Sequence, residues 1–209
     1  MRILCIGDSN TWGYNPVNGQ RFFNRWPKVL AKLIPENEII EEGLNGRTIT
    51  SIDPVFNERC GIKGLKMLLM SHKPIDCVII MLGTNELKSI FNKKANDIAE
   101  GIKQLLEIII NKDMWERFNI PKILVVSPIL IRDELLEIPT VFEGFDKNSV
   151  IQSKQLAQEI SKICNEYNVE FMNAADFARA SLVDCIHMDE ENHIKLAKAI
   201  NQKLTNFLI

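Results

Sequence analysis

The sequence predicts an α/β fold, a five-stranded parallel sheet with helices on both faces. Three observations predict it. Short apolar runs alternate with segments of helical periodicity along the whole chain. The run Cys77-Val78-Ile79-Ile80-Met81-Leu82 is apolar without a break, as a strand must be when both of its sides are covered. Polar turns follow the strands repeatedly, at the sheet edge where folds of this kind gather their ligands.

Each element has its own signal. Ile3-Leu4-Cys5-Ile6 is the first strand, closed by Gly7-Asp8-Ser9. Trp26 to Ile34 is amphipathic, with Pro27 where a helix start tolerates it. Glu38-Ile39-Ile40-Glu41-Glu42 is a partly polar second strand, followed by Gly43-Leu44-Asn45-Gly46. Ile62, Leu65, Leu68 and Leu69 fall at helical spacing. The central apolar strand ends at Gly83-Thr84-Asn85-Glu86. Ile98, Ile102, Leu105, Leu106 and Ile109 form the next helical stripe. Ile123-Leu124-Val125-Val126 is the fourth strand, stopped by Ser127-Pro128. Residues 151–163 are helical, and Val169-Glu170-Phe171-Met172 is the fifth strand. Ile194, Ala197, Ile200, Leu204 and Leu208 mark a closing helix. Two long connections, residues 10–24 and 130–148, carry aromatics and are candidate pocket walls.

A chain of 209 residues fits one domain spanning 1–209. A net charge of −2 gives no electrostatic case for nucleic acid or an anionic membrane. No apolar run approaches the roughly 18–20 residues needed to cross a bilayer. The first strand begins at residue 2, where a secretory signal would need a charged start and a long apolar stretch. The five cysteines are odd in number and lack a C-x-x-C pair, which reads as free thiols in a reducing cytoplasm.

The chemistry concentrates in few residues. A serine, Ser9, ends the first strand, and Asp184 and His187 stand three apart near the C-terminus. A serine becomes a nucleophile when a base takes its proton, and the base needs an orienting group. The chain has only three histidines, so the candidate base is nearly determined by counting. His193 reads as a surface residue of the closing helix and His72 as structural. Acyl transfer also needs donors for the developing oxyanion. The Gly46 backbone N–H and the Asn85 side chain are placed to supply them. Taken singly, each of these residues has a plain alternative as a turn or helix-capping residue, and that alternative stays open. Trp12, three residues after Ser9, is a candidate wall of the acyl pocket or a core residue. Asp8 and Arg47 are candidates for a pair beneath the site.

Gly7-Asp8-Ser9, Gly46, Gly83-Thr84-Asn85 and Asp184-Cys185-Ile186-His187 resemble, in order and spacing, the four signature blocks of the SGNH (GDSL) hydrolases. The flanks Asn10-Thr11-Trp12-Gly13, Leu44-Asn45-Gly46-Arg47-Thr48 and Phe142-Glu143-Gly144 are similar to the arylesterase/acyltransferase branch and to some acetyl xylan esterases. The resemblance implies a three-layer α/β/α sandwich with flavodoxin-like strand order. It implies Ser9 as nucleophile and oxyanion donor, Gly46 and Asn85 as the other donors, His187 as base and Asp184 as its orienter. It implies no metal and no cofactor, small acyl esters as substrates, acyl transfer to alcohols in some members, and homo-oligomers. The third block usually reads Gly-x-Asn-Asp, and here Glu86 stands last, longer by a methylene.

The leading expectation is a serine esterase for short acyl groups, such as acetyl on small esters or carbohydrates. A thioesterase or lysophospholipase would use the same groups and would need a long apolar channel. A flavodoxin-like binding module is the non-enzymatic reading. It expects a phosphate-cradling loop or an acidic cluster after the first strand, and Asp8-Ser9 supplies neither.

Overall fold

The computed structural model describes residues 1–138 and 144–207, apart from the Phe207 side chain. The elements are β1 (Arg2–Gly7), α1 (Ser9–Trp12), α2 (Trp26–Leu33), β2 (Glu38–Gly43), α3 (Gly61–His72) and β3 (Cys77–Met81). They continue with α4 (Ala95–Ile109), β4 (Lys122–Ser127), α5 (Lys147–Glu166), β5 (Glu170–Asn173) and α6 (Glu190–Phe207). The sheet order is β2-β1-β3-β4-β5, and every neighbouring pair is parallel. This is the predicted sandwich with the predicted strand order.

The period of two along each strand builds two cores. Leu4, Ile6, Val78, Ile80 and Val125 point to one face, where they meet α3, α4 and α5 through Leu65, Ile102 and Ile160. Ile3, Cys5, Cys77, Ile79 and Leu124 point to the other, against Trp26 and Leu30 of α2 and Ile200 of α6. Burial on both sides is why the central strands read as unbroken apolar runs. β2 lies at an edge and carries carboxylates, which the structure uses: Glu41 pairs with Arg25 and Arg21, and Glu42 with His72. The five cysteines are all free and buried. No helix among the described residues is long and apolar enough to cross a membrane.

Most boundaries fall within a residue or two of the periodicity, and three elements are worth following. α1 is a four-residue helix inside what reads as a loop, started by Asp8, whose side chain accepts from the Asn10 N–H. α5 begins at Lys147, ahead of its first exposed apolar residue, because Asp146 and Ser149 cap one another reciprocally. β5 starts one residue later than predicted. Leu208 of the closing stripe lies outside the described residues.

Strand order positions the functional segments. β1 is hydrogen-bonded to both β2 and β3, with Gly7 opposite Gly43 and Met81. The three segments leaving these strands therefore emerge side by side. Gly7 has to be glycine there, since a Cβ would lie 1.9 Å from the Thr11 Oγ1 of α1.

Candidate active site

Ser9 opens α1 at the carboxyl end of β1. Its Oγ lies 2.7 Å from His187 Nε2. The other imidazole nitrogen, Nδ1, lies 2.6 Å from Asp184 Oδ2. Asp184 Oδ1 accepts the backbone N–H groups of Ile186 and His187 at 3.0 and 2.9 Å. One carboxylate oxygen thus shapes the turn while the other meets the ring. All three side chains are buried. Burial pushes the Asp184 carboxyl up, but His187 and the two N–H groups outweigh it and hold it below its ordinary value. Cys185, between them, sits in the left-handed region at φ 64°, which closes the turn tightly enough for Asp184 to reach His187.

Asn85 follows β3 and is buried in the 3-10 turn Thr84–Leu87. Its Nδ2 donates to the Arg47 carbonyl at 3.1 Å, which fixes the amide and leaves the second N–H for another acceptor. Gly46 has φ 77°, and a Cβ there would meet the Arg59 side chain at 2.7 Å. Arg59 is held in turn by Asp53 at 3.0 Å. Beside it lies a cleft of about 320 Å³ lined by Val55, Arg59, Ile90, Phe91 and Gly144. Larger clefts of about 350, 460 and 620 Å³ lie mainly along residues 130–134 and 171–206, and none of these four clefts is lined by Ser9, Gly46, Asn85, Asp184 or His187.

Glu86 is fully buried. Its Oε1 accepts three consecutive N–H groups, from Ile49, Thr50 and Ser51, at 2.9, 3.0 and 3.0 Å. Lys93 Nζ is 3.8 Å away. The extra methylene relative to the usual Asp is what lets the carboxylate span to the segment after Gly46.

Two expectations are corrected. His193 is not a surface residue: it is 0% exposed, its Nδ1 facing the Trp26 N–H at 3.4 Å and its ring edge-on to Phe22. Burial lowers its pKa to about 3, so it is neutral. The signal was in the spacing, since His193 falls three and four residues before Leu196 and Ala197 on the buried stripe of α6. Asp8 and Arg47 do not pair directly. Arg47 Nη1 donates to the carbonyls of Gly7 and Glu42, and Asp8 Oδ1 accepts from Asn10. Burial raises the Asp8 carboxyl above its ordinary value. His72 bonds Glu42 at 2.8 Å, away from Ser9. Trp12 is half-buried, with the Arg21 guanidinium 5.3 Å from its ring centre.

Sequence reasoning missed two neighbours of His187. The Tyr14 ring lies 4.5 Å from the imidazole, centre to centre. Asn10 bonds the backbone on both sides of His187. Tyr14 belongs to a long connection named as a pocket wall. The other such connection contributes Gly144 to the cleft, while Phe142 and Glu143 lie outside the described residues.

No curated protein matches the chain. Solved structures do. A carbohydrate acetylesterase of Sinorhizobium meliloti, Est24, is 35% identical with a TM-score of 0.92, covering 99% of both chains. A carbohydrate acetylesterase family member from the same organism is 31% identical at 0.92, over 99% of this chain and 98% of that one. The aryl esterase of M. smegmatis, in an inhibitor-bound form, is 34% identical at 0.92, over 98% of each. The family model of GDSL-like lipases and acylhydrolases matches residues 5–193, the stretch that carries Ser9, Gly46, Asn85, Asp184 and His187. With sequence and fold agreeing over nearly its whole length, the chain belongs to the GDSL-like lipase/acylhydrolase family, the SGNH hydrolases.

Proposed function

We propose that the protein is a serine esterase that hydrolyses short acyl esters, acetyl esters above all, through an acyl-enzyme on Ser9. The observation that carries this reading is the unbroken chain Ser9 Oγ, His187 and Asp184, with links of 2.7 and 2.6 Å. His187 Nε2 takes the serine proton as Oγ bonds the ester carbon. Asp184 keeps the proton of Nδ1 and with it the tautomer that leaves Nε2 an acceptor. The carbonyl oxygen becomes an oxyanion between the Ser9 and Gly46 N–H groups and the second Nδ2–H of Asn85. His187 returns the proton to the leaving alcohol. Water then enters by the same steps reversed, its proton going to His187 and the carboxylic acid leaving Ser9.

Two relatives are named carbohydrate acetylesterases and another an aryl esterase, which favours acetylated carbohydrates or small aryl esters as substrates. Acyl transfer uses the same acyl-enzyme with an alcohol in place of water. Five buried free thiols fit a cytoplasmic location. The exposed Ile52, Val55, Phe56 and Ile90, two of which line the cleft beside Arg59, suit a homo-oligomer.

The test is burst release from a chromogenic acetate ester, blocked by a serine-directed organophosphate. Ser9→Ala removes nearly all turnover with the fold intact. His187→Ala is nearly as damaging, and the double variant little worse than either, because the groups act as a unit. Retention of more than a few per cent of kcat by Ser9→Ala would sink the reading. Acyl chains of increasing length, set against acetylated sugars, then rank the substrates.

A further inference from the structure

Ser9 and His187 are 178 residues apart, yet their side chains meet at 2.7 Å. Something must fix that distance. His187 is held from within its own segment, its N–H by Asp184 Oδ1 and its C=O by the Ser181 N–H at 2.7 Å. Those bonds shape the loop, and they do not tie it to β1. The tie comes from Asn10. Its Nδ2 donates to the Ile186 carbonyl at 3.3 Å, and its Oδ1 accepts the Met188 N–H at 2.9 Å. The amide therefore grips the backbone one residue before and one residue after the base.

We propose that Asn10 is the positioning residue that sets His187 against Ser9, by clipping the backbone on both sides of the base to the residue beside the nucleophile. The inference rests on the serine-esterase reading above. Asn10 directly follows Ser9 in α1 and is itself 2% exposed, its own N–H held by Asp8 at 2.9 Å. Any shift of α1 carries the nucleophile and the clip together, so the serine–imidazole spacing is conserved. The clip also outlasts the Ser9–His187 hydrogen bond. That bond is lost when Oγ becomes an ester oxygen, and the imidazole must still stand ready for the leaving alcohol and for water.

The clip needs a donor and an acceptor on one short side chain, which only asparagine offers at this reach. Aspartate keeps the acceptor for Met188 and sets a second oxygen against the Ile186 carbonyl. Leucine fills the space and makes neither bond.

Asn10→Leu and Asn10→Asp are measured together with Ser9→Ala, on the full chain, with a chromogenic acetate ester and a chromogenic organophosphonate. Leucine preserves packing, so it keeps the test alive should the aspartate variant fail to fold. The expected result is kcat lowered about tenfold or more with KM within about twofold. The rate of Ser9 phosphonylation falls in parallel, while burst amplitude per folded molecule stays full. Two results would overturn the inference: unchanged kcat in Asn10→Leu, or a loss of kcat matched by lost burst amplitude with the per-site rate intact. The second is the signature of a merely structural role. If Ser9→Ala itself retains turnover, the esterase reading falls first. If Ser9→Ala is silent and Asn10→Leu is fully active, only the clip falls.

Discussion

Asn85 shows how a single side chain divides its work. One Nδ2 hydrogen is committed to the Arg47 carbonyl at 3.1 Å, next to Gly46, and that bond dictates which end of the amide faces the turn. In the proposed esterase the second hydrogen would then be held in place before any oxyanion forms, which is the condition for electrostatic stabilisation without reorganisation. Asn85→Ala is expected to cost about 2.7–4 kcal/mol of transition-state stabilisation, as for a side-chain donor in comparable acyl-transfer sites. The loss falls on kcat with KM little changed, because the charge exists only in the transition state. Steady-state kinetics on an acetate ester checks this. A rise in KM alone would make Asn85 a residue for binding the ground state. His187 was legible from the sequence because the chain has only three histidines, and Ser9 and Asp184 because of where they stand, one closing the first strand and the other three residues before that histidine. Asn10 and Tyr14 were not, since an asparagine and a tyrosine in a loop carry no pattern until the chain brings residue 187 beside them.

At the scale of elements, Glu86 joins the turn after β3 to the segment after β2. Three N–H groups converge on one carboxylate oxygen that is shut off from water. Leaving a buried donor unmet costs about 1–3 kcal/mol. Glu86→Ala would strand three of them next to the Gly46 turn, so it should lower both melting temperature and kcat substantially. Glu86→Asp restores the commoner motif but is shorter by about one carbon–carbon bond, and the segment must follow it inward. With Glu86 serving only as a brace, that change lowers kcat by less than about tenfold, roughly 1.4 kcal/mol. Thermal melts and kcat on the same preparations separate the outcomes. Abolished activity at an unchanged melting temperature would place Glu86 in the chemistry itself. The departure from Gly-x-Asn-Asp was visible in the sequence. Its purpose was not, because the three donors lie more than thirty residues away. The strands and long helices were legible for the opposite reason: burial on two faces or one stripe writes itself directly into periodicity. α1 escaped because four residues are too few to show a period.

Across the whole molecule, the two faces of the sheet carry different duties. The side of α3, α4 and α5 buries the Glu86 carboxylate against the backbone of Ile49, one of its core residues. The side of α2 and α6 encloses an ionisable group, His193, on the same buried stripe as Leu196 and Ile200. Its folded pKa is lowered to about 3 by burial, while an unfolded histidine titrates near 6.5. Between those values the unfolded chain binds a proton that the folded chain refuses. Stability therefore falls as pH falls through this window, by about 1.4 kcal/mol per unit, and the effect is absent above it. The depressed Asp184 carboxyl acts only lower, below its unfolded value of about 3.9, so the two contributions separate in pH. His193→Leu keeps the apolar volume and removes the proton site, leaving the Trp26 N–H short of one long hydrogen bond. Near pH 7.5 the variant should melt at or slightly below the native protein. Near pH 4.5 it should melt above it. Calorimetry across that range should give two curves that cross, and parallel curves would show that His193 takes no part in acid unfolding.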